Sequence, residues 1–245
     1  MVLVGTIVNA VAIIVGALLG SLLSGIKDQV RTTVMQGIAL AVFVLGIGMG
    51  LKSGNFLLVI FSLVVGSVLG EWWGIEDKLH SVGLWLENRV GGKGKGSVAT
   101  AFVTATLVYC VGAMAILGAL DSGLRNDHQV LFTKAMLDGF SAVIFASALG
   151  GGVAFSAVPV FLYQSAIALS ASYINQLMSK EMLLLVVNEL TATGGIMIMA
   201  IAVNLLEIKK VRTANMLPAL IVVCAAVPIL QKWPAIKDWL LQLVS

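Results

Sequence analysis

Residues 185–199 read LVVNELTATGGIMIM, and the chain on either side is almost wholly Leu, Val, Ile, Met and Ala. In water such a stretch would pass without comment. In a bilayer Asn188, Glu189, Thr191, Thr193 and the pair Gly194-Gly195 each cost free energy, so the solvent decides the reading. Composition identifies that solvent: of 245 residues, 59% are hydrophobic and 11% charged, and the mean hydropathy is +1.03. A soluble domain carries about 25% charged residues, so this chain lacks the charge to cover a wet surface. Apolar runs of the ~20 residues that a span requires recur along it. They are long and continuous, not short and alternating, which excludes a β-barrel. The fold class is an all-α polytopic membrane protein.

Eight spans are expected, near 3–24, 34–51, 56–73, 98–120, 130–149, 154–178, 182–206 and 216–231. Polar breaks such as GIKDQVRT (25–32), KSGN (52–55) and EIKKVRT (207–213) separate them. The first charge is Lys27, so the first run lacks a basic lead-in and reads as a retained helix. In the longer break 74–97, Ile75, Leu79, Val82, Leu86 and Val90 recur at helical spacing opposite a charged face. That pattern predicts a helix lying in the interface, followed by a Gly/Lys tether. The end, 232–245, has a similar character. All five Trp (72, 73, 85, 233 and 239) fall at span ends or in these amphipathic pieces, as aromatic headgroup anchors do. With the N-terminus outside, the inner loops hold nine Lys or Arg and the outer side six, so the charge bias places both termini outside.

TAT occurs at 104–106 and again at 191–193, each time leading into a Gly/Met-rich run. VNAVAIIVG (8–16) likewise echoes VNELTATGG (187–195). We read these as traces of internal duplication. Three-span units at 1–73 and 98–178 would be inverted, with a terminal hairpin at 182–231. Such folds build a substrate site near the midplane.

The chemistry rests on a few polar residues. An ionised group at mid-span costs about 2.5–3.5 kcal/mol on insertion scales, so Glu189 must face a wet cavity, be paired, or be protonated. Each of two adjacent glycines costs about 1 kcal/mol of helix propensity. Gly194-Gly195 therefore either breaks the helix or admits a neighbouring backbone; beside Asn188 and Glu189, a broken helix with a polar site is the expectation. Lys134 and Asp138, four apart in KAMLDG, share a helix face. An internal ion pair and a place on a transport pathway both stay open for them. Asn9, Thr104, Thr106 and Gln164 are polar residues inside spans that join the candidate site or bond between helices. The Gly pairs 16/20 and 66/70 have small-xxx-small spacing and predict packing faces. His80 and His128 lie far apart, no metal cluster or nucleophile–base pair is visible, and Cys110 and Cys224 read as small hydrophobes. No cofactor, metal or enzymatic activity is expected. The net charge of +3 is too small and dispersed to suggest nucleic acid.

NELTATGG, NLLEIKKVRTANMLPAL, CVGAMAILGALDSGL and KAMLDG together resemble the bacterial inner-membrane family typified by YdfK and YqgA, catalogued as domain of unknown function 554. The resemblance runs from GTIVNAVAIIVG to NMLPAL. It implies a bacterial inner-membrane location and a small all-helical architecture, and it brings no catalytic residues. The functional expectation is a small-solute or ion transporter, proton- or cation-coupled through Glu189 or Asp138, working as a homodimer. The alternative is a membrane scaffold or sensor that binds a partner through 74–97.

Overall fold

A computed structural model describes residues 1–22, 28–90 and 97–244. Among the described residues ten α-helices carry the fold: α1 (Val4–Leu22), α2 (Asp28–Gly50), α3 (Phe56–Trp73), α4 (Ile75–Val90), α5 (Ser97–Cys110), α6 (Ala113–Arg125), α7 (Gln129–Leu149), α8 (Ala157–Leu177), α9 (Lys180–Leu205) and α10 (Pro218–Val244). Two 3₁₀ turns, Gly151–Ser156 and Thr213–Met216, lead into α8 and α10. Among the described residues seven helices are long and apolar enough to cross a membrane, and counting the bent pair α5–α6 as one span brings the number to eight. This is the expected all-α polytopic architecture, with seven to eight spans. Large apolar side chains cover the outside, for example Leu18, Val44, Leu57, Met136 and Leu162. In lipid that surface is the ordinary solvent face.

Helices pair where small residues let backbones meet. α1 lies along α7, where a Cβ added to Gly16 would stand 2.1 Å from the Gly139 carbonyl oxygen. α3 meets α10 in the same way, with a Cβ on Gly66 falling 2.2 Å from the Ala219 nitrogen, and one on Gly70 would stand 1.9 Å from the Asn215 carbonyl oxygen in the turn before α10. Both small-residue pairs read from the sequence are thus packing faces, spent within one chain. Lipid tails are as apolar as Leu, so close van der Waals contact of this kind is what holds membrane helices together.

The GGG at 150–152 makes the tight connection expected, with Gly150 at φ 94° closing α7. α4 packs against α5 and the 213–216 turn instead of standing free. The tether residues 91–96, and the side chains of 232–245 including Trp233 and Trp239, lie outside the described residues; the backbone of α10 runs on as helix to Val244. α1 packs mainly on α7, whereas α2 packs mainly on α9.

Candidate functional site

Four of the polar residues singled out in the sequence meet at one place. On α7 the Lys134 ammonium lies 2.9 Å from Asp138 Oδ1 and 2.7 Å from Oδ2. From α1, Asn9 Nδ2 donates to Asp138 Oδ2 at 3.1 Å and to Gln164 Oε1 of α8 at 3.3 Å. Asn9 and Gln164 are fully buried, and Lys134 and Asp138 are 7% and 6% exposed. The local sequence makes this possible. Gly139 follows Asp138 and brings α1 close, since a Cβ there would be 3.1 Å from the Ala12 carbonyl oxygen. The ion pair forms despite its unfavourable Lys-before-acid order, because the apolar surroundings offer each charge no better partner. Two polar atoms remain unmatched: Asn9 Oδ1 and Gln164 Nε2 are buried without a hydrogen-bond partner. One spare acceptor and one spare donor therefore sit beside a buried ion pair.

The fourth span breaks next to this cluster. α5 ends at Cys110, α6 begins at Ala113, and their axes differ by 61°. Gly112 has φ 158° and ψ 148°, a conformation essentially reserved for glycine. The break exposes carbonyls at the end of α5 and N–H groups at the start of α6. Bonds from Val111 N to Leu107 O and from Ala115 N to Gly112 O satisfy part of them. Cys110 lies within electrostatic reach of Lys134 and Asp138, and Tyr109 of Asp138. Ser141 stands between, donating to the Asp138 carbonyl oxygen at 3.0 Å and lying 3.5 Å from the Tyr109 hydroxyl.

The broken helix expected at 188–195 is not there. α9 is continuous from Lys180 to Leu205, and its polar residues serve separate ends. Glu189 Oε1 accepts the backbone N–H of Gly54 at 2.7 Å and of Asn55 at 2.9 Å, while Oε2 accepts the Ser53 hydroxyl at 2.6 Å. It therefore holds the turn between α2 and α3. Its charge is stabilised by three donors at the start of a helix, where the macrodipole also favours an anion. Asn188 is exposed on the other side of α9. The Thr193 hydroxyl bonds back to the Glu189 carbonyl oxygen. Gly194 and Gly195 are packing glycines: a Cβ on Gly194 would stand 1.8 Å from Val111 Cγ1, and one on Gly195 2.6 Å from the Gly50 nitrogen. The helix stays whole because α2 and the bent span fill the space those glycines leave. The break falls instead in the span that carries the other TAT, with Gly194 packed against it. Thr106 and Thr191 have buried hydroxyls without partners, and neither touches the ion-pair cluster by hydrogen bond.

Thr104 lines a cavity of about 400 Å³ between the first half of α5, the end of α9 and the loop that follows it. Glu76, Thr100, Asn204, Lys209 and Lys210 also line it, and Ile201 lies alongside. Asn204 holds the following loop, donating to Val211 O at 2.8 Å and accepting from Val211 N at 2.6 Å. Glu76 accepts from Ala214 N at 2.9 Å, and Arg212 bridges Glu71 and Asp77. The hydrogen bond to Asp77 pushes the already high pKa of Arg212 further up. Thr104 is six residues from Cys110, about 9 Å along α5.

Sequence reasoning missed Gly112, Tyr109, Ser141 and Ser53. Only Gly112 left a signal, as a lone glycine inside CVGAM in mid-span. The others are identified by contacts between distant segments. Among the described residues no group of three or more His, Cys, Asp or Glu is placed to hold a metal.

Residues 4–228 match the family described as "Protein of unknown function (DUF554)". The chain is 34% identical over 223 residues to "Uncharacterized membrane protein YdfK" of Bacillus subtilis (strain 168), covering 89% of this chain and 93% of that protein. It is 28% identical over 237 residues to "Uncharacterized protein YqgA" of Escherichia coli (strain K12), covering 95% and 98% respectively. No solved structure matches.

Proposed function

The chain belongs to the DUF554 family, and for this membrane protein we propose transport of a small solute or ion through an exchange site built on Lys134, Asp138, Asn9 and Gln164. One observation carries the reading. A buried ion pair lies beside a broken span, with an acceptor on Asn9 and a donor on Gln164 left without partners. Intramembrane charges are costly and mark solute or proton pathways. Buried amides left half-satisfied cost about 1–3 kcal/mol each, a cost that a packing role alone does not offset. Interrupted helices are likewise where transporters bind, because their free peptide ends face the site.

With the N-terminus outside, the 400 Å³ cavity opens to the cytoplasm. The segment of α5 from Thr104 to Cys110 then forms the barrier between that cavity and the site. Tilting of the bent span about Gly112 is the motion that would open it. The test needs no knowledge of the solute. In a Cys110→Ala/Cys224→Ala background, Gln164→Cys is placed in proteoliposomes and treated with a charged, membrane-impermeant thiol reagent from each side. We expect labelling from at least one side; a thiol unreactive from both would mark the cluster as dry packing.

A further inference from the structure

We propose that the bent span is a pair of gates hung on Gly112: α5 closes the Lys134–Asp138 site from the cavity side with Tyr109, and α6 closes it from the N-terminal side against Leu131. The proposal rests on the exchange-site reading above and names what keeps that site shut.

Helix direction orders the parts. α1 and α7 run side by side in the same direction, since Gly5 meets Leu131 and Gly20 meets Val143. The end of α6 lies at the start of α1, where Ser122 donates to the Val2 carbonyl oxygen. The start of α5 lies at the other end of α7, where a Cβ on Gly152 would stand 2.6 Å from the Val98 carbonyl oxygen. Ala99 and Thr100, at that start, line the cavity. Counted from the cavity end of α7, successive positions are Phe145, Ser141, Asp138, Lys134 and Leu131, at about 1.5 Å of rise per residue.

A buried side chain stands on either flank of the ion pair. Toward the cavity, Tyr109 is 1% exposed. Its ring packs on Phe145 with centroids 6.2 Å apart, and its hydroxyl lies 3.5 Å from Ser141 Oγ. Ser141 donates to the Asp138 carbonyl oxygen at 3.0 Å, so Tyr109 covers the turn of α7 next to the acid. On the other flank Leu131 is fully buried. It fills a notch between two glycines: a Cβ on Gly5 of α1 would stand 2.7 Å from Leu131 Cδ1, and one on Gly118 of α6 3.0 Å from Leu131 Cδ2. Withdrawing α5 takes Tyr109 off Phe145; withdrawing α6 opens the notch around Leu131.

The backbone separates the two arms. Among the described residues no backbone hydrogen bond runs from the start of α6 back to the end of α5. Gly112 between them has a conformation that other residues avoid. Val111, seated against Gly194 of α9, holds the joint itself in place. A joint fixed to α9 with an arm on each side lets one gate open while the other stays shut, which is the condition for alternating access.

The test uses the full chain in proteoliposomes, with Gln164→Cys in the Cys110→Ala/Cys224→Ala background as parent. A charged, membrane-impermeant thiol reagent is added from one side or the other, and single cysteines at 2 and 209 identify the two faces. Tyr109→Ala should react about tenfold faster than the parent from the face of residue 209, and at the parent rate from the face of residue 2. Leu131→Ala should show the reverse. An increase of that order follows when a buried contact made only in the closed state is removed, because the open population grows. Tyr109→Phe and Leu131→Val leave the core nearly filled and carry the test should an alanine variant not fold; they should shift the rates in the same directions by less. Side specificity separates a gate from loosened packing, which admits the reagent from both faces. Equal acceleration from both faces, or parent rates in all four variants, overturns the gates and leaves the exchange site standing where the parent is labelled. A thiol unreactive from both faces in the parent and all four variants overturns the gates and the exchange site together.

Discussion

At the scale of single residues, two buried acids have opposite roles. Asp138 is paired with Lys134 and has half-satisfied neighbours, whereas Glu189 is held by three donors from the α2–α3 turn. Replacing Glu189 with Ala leaves the N–H groups of Gly54 and Asn55 without that acceptor, and should lower thermal stability by about 1–3 kcal/mol. Glu189→Gln keeps an acceptor for both and should lose much less. Removing Lys134 alone, as in Lys134→Met, strands the Asp138 charge and should cost about 3–5 kcal/mol. The double variant Lys134→Met/Asp138→Leu should recover most of that loss, read as melting temperature in detergent. All of Asn9, Lys134, Asp138 and Gln164 were visible in the sequence as polar residues inside spans. Their meeting was not, because α1, α7 and α8 come together through Gly16, Gly139 and the GGG turn, contacts that no local pattern encodes. Glu189 drew attention for a sound reason, its cost in a bilayer, but its donors lie more than a hundred residues away.

At the scale of elements, the central correction concerns which helix breaks. Two glycines in TATGG carry twice the propensity cost of the single Gly112, yet α9 is continuous and the fourth span is bent. Propensity is a weak force beside packing: α2 backs Gly195, and Val111 sits directly on Gly194. Gly112 breaks its span because its backbone adopts a conformation that other residues avoid. This contact is testable. Gly194→Ala drives a methyl into Val111 and should destabilise the protein by about 1–3 kcal/mol. Val111→Ala in the same chain should restore most of it. Additive losses in the double variant would show that the two residues do not press on each other. Span positions were far more legible than breaks, since apolar length alone sets them; the expected intervals agree with the helices to within a few residues, aside from the earlier start of α2 at Asp28, the later end of α6 at Arg125 and the extra length of α10.

At the scale of the whole molecule, counting the bent pair as one span gives eight crossings, an even number that puts both ends of the spanning bundle on one face. Ser122 binds the Val2 carbonyl oxygen and lies 2.7 Å from His128 on that face. The cavity with Lys209 and Lys210 opens on the other. Single cysteines at 2 and 127 should therefore label from one side of the membrane, and cysteines at 78 and 209 from the other. The pair at 2 and 127 should be external if the charge bias sets orientation. α4 contributes Glu76 and Leu79 to the cavity wall, so the segment proposed as a partner-binding arm is also part of the vestibule. A homodimer, expected from the small size of the chain, would need surfaces other than Gly16/Gly20 and Gly66/Gly70, which are filled within the chain. The account's central claim is that Asp138, and not Glu189, carries the exchange. It is tested most directly in proteoliposomes that enclose a pH-sensitive dye, with alkali chlorides outside and an imposed pH gradient. Wild-type and Glu189→Gln protein should relax the gradient faster than protein-free vesicles, and Asp138→Asn should not. Relaxation by Asp138→Asn at the wild-type rate, or its loss in Glu189→Gln alone, would contradict the account.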